Sequence, residues 1–168
     1  MKETPGDLEQ LQALLDYSIG QAGSFLRSSF QMPQCSLSAE QLVHYLQGIQ
    51  NVAFATVTAS SEPRVAPIGS LFFRGRFYIP TIATAVRTRH VMKHSAVSLT
   101  HFVGNDLAII VHGHATVISQ DHPDFAALEE LQRASAGLSV RDWGEGAYLR
   151  VDAQAIYTFA RDPAQYPG

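Results

Sequence analysis

The stretch VAFATVTASSEPRVAPIGSLFFRGRFYIPT, from Val52 to Thr81, decides the fold. VAFATVTA is β-rich, SSEP supplies a polar turn, RVAPIGSLFF resumes the β pattern, RGR turns again and FYIPT runs on. Ser, Glu, Pro and Gly sit where tight connections need them, so these strands follow one another as hairpins. Further on, AVSLTHFV (Ala96–Val103) and LAIIVHGHATVIS (Leu107–Ser119) flank the turn GND, and YLRVDAQAIYTFA (Tyr148–Ala160) is a closing strand. Six or so strands that arrive in hairpins, not in βαβ units, predict an antiparallel β-barrel with helices packed around it, an α+β arrangement. A Rossmann fold is disfavoured, and neither a GxGxxG nor a Walker loop is present.

Helical spacing marks the rest. DLEQLQALLDYSIGQAGSFLRSSF (Asp7–Phe30) carries Leu8, Leu11, Leu14, Leu15, Ile19 and Ala22 on one face, with Gly20 and Gly23 weakening its second half. It reads as one N-terminal helix ended by Met32-Pro33. SLSAEQLVHYLQGI begins another, with Ser38 as N-cap, Gln41 at the capping-box position and Leu42, Tyr45, Leu46 and Ile49 as its apolar stripe. ATAVRTRHVMKH reads as a short helix, and DHPDFAALEELQRASA as an amphipathic one opened by Asp121, with Pro123 near its first turn. The chain therefore divides into an N-terminal helical extension, residues 1–37, and a barrel domain, residues 38–168, within a single-domain protein.

Composition narrows the function classes. The 168 residues are 46% hydrophobic and 16% charged, enough for a real core. A formal charge of -3 argues against a nucleic-acid binder, which would show a broad basic surface. The single cysteine, Cys35, excludes an intrachain disulfide and suits a reduced cytoplasmic compartment. No signal peptide and no apolar run near the ~20 residues of a membrane span are found. Strands VAFATVTA and LAIIVHGHATVI carry more apolar residues than one buried face needs, so another copy of the chain is expected to cover the second face.

The order VAFATVTASSEPRVAPIG, GRFYIPT, AVRTRHVMKHSAVSLTHF, LAIIVHGHATVI resembles the pyridoxamine 5'-phosphate oxidase-like family, the flavin-binding split β-barrels, from about Ser38 to Ile118. The resemblance implies a homodimer holding FMN at the subunit interface, or in some branches a deazaflavin and in others haem. It places Arg64, Val65, Ala66 and Pro67 along the isoalloxazine towards the phosphate, and Thr81 and Ile82 at the cofactor-contacting end of the next strand. Arg87 falls where the family has a basic phosphate ligand, with arginine here where many members have lysine. The implied function is flavin-dependent hydride transfer to or from a small organic substrate. The alternatives are a deazaflavin-dependent reductase or a non-enzymatic flavin- or haem-binding protein. The namesake oxidase has an Arg-x-His motif in a C-terminal segment; YTFARDPAQYPG lacks it, so vitamin B6 oxidation is not expected.

The residues make their own case for an anion site. Thr81 and Thr84 offer hydroxyls just before a predicted helix whose first N–H groups are free, and Arg87 brings charge within about its first turn. Arg89, two residues on, points elsewhere on the helix. His112 and His114 share a strand face, with His101 on the preceding strand; they read as polar positions on a barrel face or interface, against a metal site. Gly113 between them allows a neighbouring backbone or a flat ring to come close. Trp143 would cover a ring, line a pocket or anchor a core. Asp121, Asp124, Glu129 and Glu130 read as helix surface, and no nucleophilic triad surrounds Ser70, Ser98 or Ser139.

Overall fold

The computed structural model describes residues 2–168. Strands β1 (Ile49–Val57), β2 (Pro63–Phe73), β3 (Arg76–Ile82), β4 (Ala96–Val103), β5 (Leu107–Ile118) and β6 (Gly146–Ala160) close an antiparallel barrel in the order β1-β2-β3-β6-β5-β4. The first hairpin turns at Thr58, whose N–H donates to Glu62 O. The second turns through Arg74 and Gly75, with φ of 49° and 74°; positive φ at both central residues is the geometry that matches strand twist in a two-residue hairpin. Alternation sends Val52 and Phe54 of β1, Leu99 of β4, Ile109 and Val111 of β5 and Leu149, Val151 and Ile156 of β6 into the core.

Register shifts between His112 and Gly113, where β6 accommodates an extra residue: His112 pairs with Ala155 and Gly113 with Ala153. A Cβ on Gly113 would lie 2.3 Å from Asp152 O, so only glycine fits. The close approach that the sequence suggested at Gly113 is therefore that of the β6 backbone. Past Val151, where pairing with β3 ends, two β6 amides are satisfied from outside the barrel. Ile156 N–H donates to Ser18 Oγ, and Ala160 N–H donates to Cys35 O. In return, Thr158 Oγ1 accepts from Leu37 N–H.

Ser18 lies on helix α1 (Pro5–Gln21), capped by Thr4 and Asp7 in a reciprocal box. The hydrogen bond from the Thr4 backbone N–H is the chief reason the Asp7 carboxyl titrates below its ordinary value. The single N-terminal helix expected from sequence is two: α2 (Ser24–Ser29) starts afresh after Gly23, whose extended ψ of 158° breaks the run. Helix α3 (Ala39–Tyr45) has the Ser38–Gln41 box as read. Leu11 and Leu15 of α1 and Leu42 and Val43 of α3 join the barrel core.

Helix α4 (Val86–Lys93) links β3 to β4, and α5 (Phe125–Ala136) links β5 to β6. Asp121 does not open α5: the N-cap is Asp124, because a turn with His122 N–H donating to Ser119 O precedes it. Nor is Glu129 a surface residue. It is 7% exposed, and its carboxylate accepts from the Ser139 hydroxyl, from Val140 N–H at 3.2 Å and from Tyr148 OH at 2.7 Å. Phe125 and Leu128 pack beside it against Leu71, Phe73, Tyr78 and Ile118 in a second core.

Burial, followed by the hydrogen bond to Glu129 and its charge, holds the Tyr148 phenol far above the ordinary tyrosine value. A group whose folded pKa is raised stabilises fully below its unfolded pKa, and that contribution is lost as pH rises through the interval above it. The unfolding midpoint is therefore expected to fall above about pH 10. Tyr148→Phe should flatten that alkaline decline and cost about 1–2 kcal/mol at neutral pH. Denaturant unfolding of both proteins from pH 8 to 11 checks this, and an unchanged alkaline slope would remove Tyr148 from the account.

Candidate functional site

Two adjoining clefts meet beside α4. The first, of about 540 Å³, is lined by Phe54 and Thr56 of β1, by Arg64, Ala66 and Ile68 of β2, and by Arg87 and His90 of α4. Pairing explains the β contribution: Thr56 sits opposite Arg64, Phe54 opposite Ala66 and Val52 opposite Ile68, so alternate β2 residues share the inward face of β1. Helix α4 is fastened there by buried Val91 and by the 2.9 Å hydrogen bond between Thr56 Oγ1 and His90 Nδ1. The second cleft, of about 460 Å³, shares Ile68 and Arg87 with the first, and adds Thr81 and Ile82 of β3, Gln132 of α5 and Trp143.

Of the residues singled out in the sequence, Arg64, Val65, Ala66 and Arg87 line the first cleft, and Thr81, Ile82 and Arg87 the second. Pro67 and Thr84 line neither, and nor does Arg89. Thr81 is buried and its hydroxyl is committed: Thr88 Oγ1 donates to Ile82 O at 2.8 Å and lies 3.2 Å from Thr81 Oγ1, which must then be the donor between them. Thr81 thus shapes the strand end and offers no hydroxyl to the cleft. Arg64 also has a partner, Glu62 at 2.7 Å, but both side chains are more than half exposed. Such pairs are worth under about 1 kcal/mol and exchange readily.

Arg87 differs. It stands half-buried in the first turn of α4, after an Ala85 N-cap that supplies no side-chain acceptor. Among the described residues it forms no ion pair. The first amides of a helix lack intrahelical acceptors, so charge and free N–H groups coincide there.

The three histidines do not converge. His101 is buried; its Nδ1 lies 2.8 Å from Asn51 O and its Nε2 2.7 Å from Tyr45 OH. A carbonyl only accepts, so Nδ1 is the donor to Asn51 O. Burial raises the Tyr45 pKa. His112 and His114 are exposed, and their Nδ1 atoms bond Ser98 Oγ at 2.8 Å and Ser95 Oγ at 2.9 Å. Among the described residues no group of three or more His, Cys, Asp or Glu is placed to hold a metal.

Sequence reasoning did not single out Gln132, His90 or Leu138. Gln132 lies one turn beyond Glu129 on the same helix face, which only the structure shows to be inward. It is 2% exposed, yet its Oε1 has no hydrogen-bond partner. Trp143, 46% exposed at the end of a short 3-10 turn (Val140–Trp143), lies at this cleft and not in a core.

No protein-family model and no curated protein sequence matches the chain. Its fold is that of split-barrel proteins. A conserved hypothetical protein from Mycobacterium tuberculosis superposes with a TM-score of 0.64 at 13% identity, over 81% of this chain and 92% of that one. An F420 reductase gives 0.55 at 15%, over 66% and 91%. A putative pyridoxamine 5'-phosphate oxidase from Listeria innocua gives 0.54 at 13%, over 64% and 86%. The antiparallel barrel expected from the hairpin order, and the split-barrel fold that the resemblance implied, are thus the ones observed. Among the described residues, no helix is long and apolar enough to cross a membrane.

Because His112 and His114 bond serines separately on an exposed face, the double change to Gln should leave the metal content of the purified protein unaltered. Elemental analysis of both proteins checks this; stoichiometric zinc or iron lost in the variant would establish a metal role.

Proposed function

We propose that the two clefts together hold FMN, and that the protein is an oxidoreductase acting on a small organic substrate. The observation that carries this reading is Arg87: a half-buried guanidinium with no ion-pair partner among the described residues, shared by both clefts at the first turn of α4. A phosphate fits it, with Arg64 across the first cleft free to exchange Glu62 for the same anion. A flat ring fits the second, whose lining is almost wholly apolar apart from Arg87 and the orphaned amide of Gln132. When bound, the flavin supplies the hydride chemistry. The chain's own residues bind the phosphate, orient the ring between β2, β3 and Trp143, and exclude water with Ile68 and Ile82. A deazaflavin is the second reading, supported by the fold's likeness to an F420 reductase, since both cofactors present a similar fused ring.

The outward barrel face supports a homodimer. Val65 and Phe102 are 69% and 64% exposed. They stand over a register of Pro67, Ala53, Thr100, Ile110 and Tyr157 across four further pairings, a surface low in charge. A second copy would cover that face next to the first cleft, which Val65 also lines. Light scattering at micromolar concentration should give the mass of a dimer, and a strict monomer would overturn this assembly. The unpaired Cys35 suits a reducing, cytoplasmic setting.

Arg87→Ala should remove a charge-assisted contact of ~1.5–3 kcal/mol, which is about one to two decades in FMN affinity. Riboflavin, lacking the phosphate, should bind the variant as it binds the wild type. Arg64→Ala should show the same selectivity with a smaller loss, because its guanidinium gives up Glu62 to bind. Fluorescence titration of both ligands, with folding checked by circular dichroism, reads this out. Equal weakening of both by Arg87→Ala would assign it a structural role, and no effect on either would make it a solvated helix face.

A further inference from the structure

We infer that Gln132 is a specificity-determining residue of the second cleft, reading the imide edge of the bound ring. This rests on the flavin reading but goes beyond it: none of the residues assigned to the cofactor from sequence lies on α5. A buried amide is nearly always hydrogen-bonded, and one left unpaired in a native fold requires an explanation. Gln132 is 98% buried by its 2% exposure, and its Oε1 has no partner within the chain. It lines a cleft whose one side-chain hydroxyl, that of Thr81, is committed to Thr88.

The helix that carries Gln132 is held in place. One turn earlier on α5, Glu129 is fixed by Ser139, Val140 and Tyr148, so the helix face carrying Gln132 is pinned to the turn that ends in Trp143. Such support from surrounding hydrogen bonds is what a recognition group needs. Among the other walls, Leu138 and Trp143 are large, apolar and partly exposed, suited to the flat faces of a ring.

The chemistry of the edge follows from that of the amide. Glutamine presents one acceptor and one donor side by side, and rotation of its terminal torsion exchanges them. The complement is a ring edge bearing an N–H beside a carbonyl. Flavins and deazaflavins share this edge, the N3–H flanked by two carbonyls on the pyrimidine ring. In the free protein Oε1 is buried; with the carboxamide turned towards the ring, Oε1 accepts from N3–H and Nε2 donates to an adjacent carbonyl.

The test uses riboflavin and 3-methylriboflavin, in which the N3 proton is replaced by a methyl group, together with FMN. Wild type is expected to bind riboflavin about tenfold or more tightly than the methylated ring, because a site built for an N–H rejects an analogue without it. Gln132→Leu should bring the two within about twofold while keeping the preference for FMN over riboflavin. The wild-type comparison needs no variant to fold. Equal binding of both rings by wild type, with FMN still bound through Arg87, would overturn the role of Gln132 and leave the flavin reading standing. Discrimination that survives in Gln132→Leu would also overturn it, since another group or simple bulk then rejects the methyl. Failure of wild type to bind either FMN or riboflavin would overturn both.

Discussion

The β5–β6 seam of the barrel turns on one close backbone contact. At Gly113 the β6 chain passes so near that a methyl group would meet Asp152 O at 2.3 Å. This contact lets β5 and β6 remain paired from Leu107 to Ile118 despite the register shift, and that pairing brings Leu149 and Val151 into the same core as Val111 and Ile156. The unequal strand lengths have a polar consequence, because β6 runs on beyond Val151, where its pairing with β3 ends. Ile156 N–H leaves the ladder and meets Ser18, while Thr158 reaches Leu37, so the segment before the barrel becomes its brace. Buried amides must be paired somewhere, and here the N-terminal helix satisfies them.

The same strand, followed backwards, organises the clefts. Its first residues pair Gly146 with Ile82 and Ala147 with Thr81, setting the rim of the second cleft. Tyr148 then reaches Glu129 and fastens α5. One long strand therefore links the brace, the core and the wall that carries Gln132. Helix α4 is attached separately, through Thr56–His90 and Val91, and contributes the charge. A ligand spanning both clefts would bridge two independently anchored helices across β2.

The barrel was legible because its signals are local. Hairpin turns, period-two alternation and the Ser38–Gln41 box each sit within a few residues, and each is observed. Errors arose where tertiary context decides. A helix continuous by apolar spacing breaks at Gly23; Asp121 yields the N-cap of α5 to Asp124; and Glu129, polar by type, is buried because Ser139, Val140 and Tyr148 converge on it. At the clefts, the family resemblance indicated the strand residues Arg64, Val65, Ala66 and Ile82, and the run before α4 also pointed to Thr81 and Arg87. Neither could show that Thr81 spends its hydroxyl on Thr88, or that Pro67 and Thr84 line neither cleft. Gln132 and His90 were invisible for a related reason: each comes from a helix whose docking angle no local motif encodes.

The orphaned amide sets two kinds of fitness against each other. An unpaired buried polar group costs a folded protein about 1–3 kcal/mol, which is a sizeable part of the net stability of a domain. Replacing Gln132 with an aliphatic residue of similar volume would relieve that cost, so a selection for heat resistance alone would favour the change. Selection for recognition would oppose it. Stabilising substitutions are easily found in natural proteins except where function retains a strained or unsatisfied group. Position 132 is therefore where a consensus or thermostability redesign of this barrel would most readily erase the proposed ring recognition while leaving the fold intact.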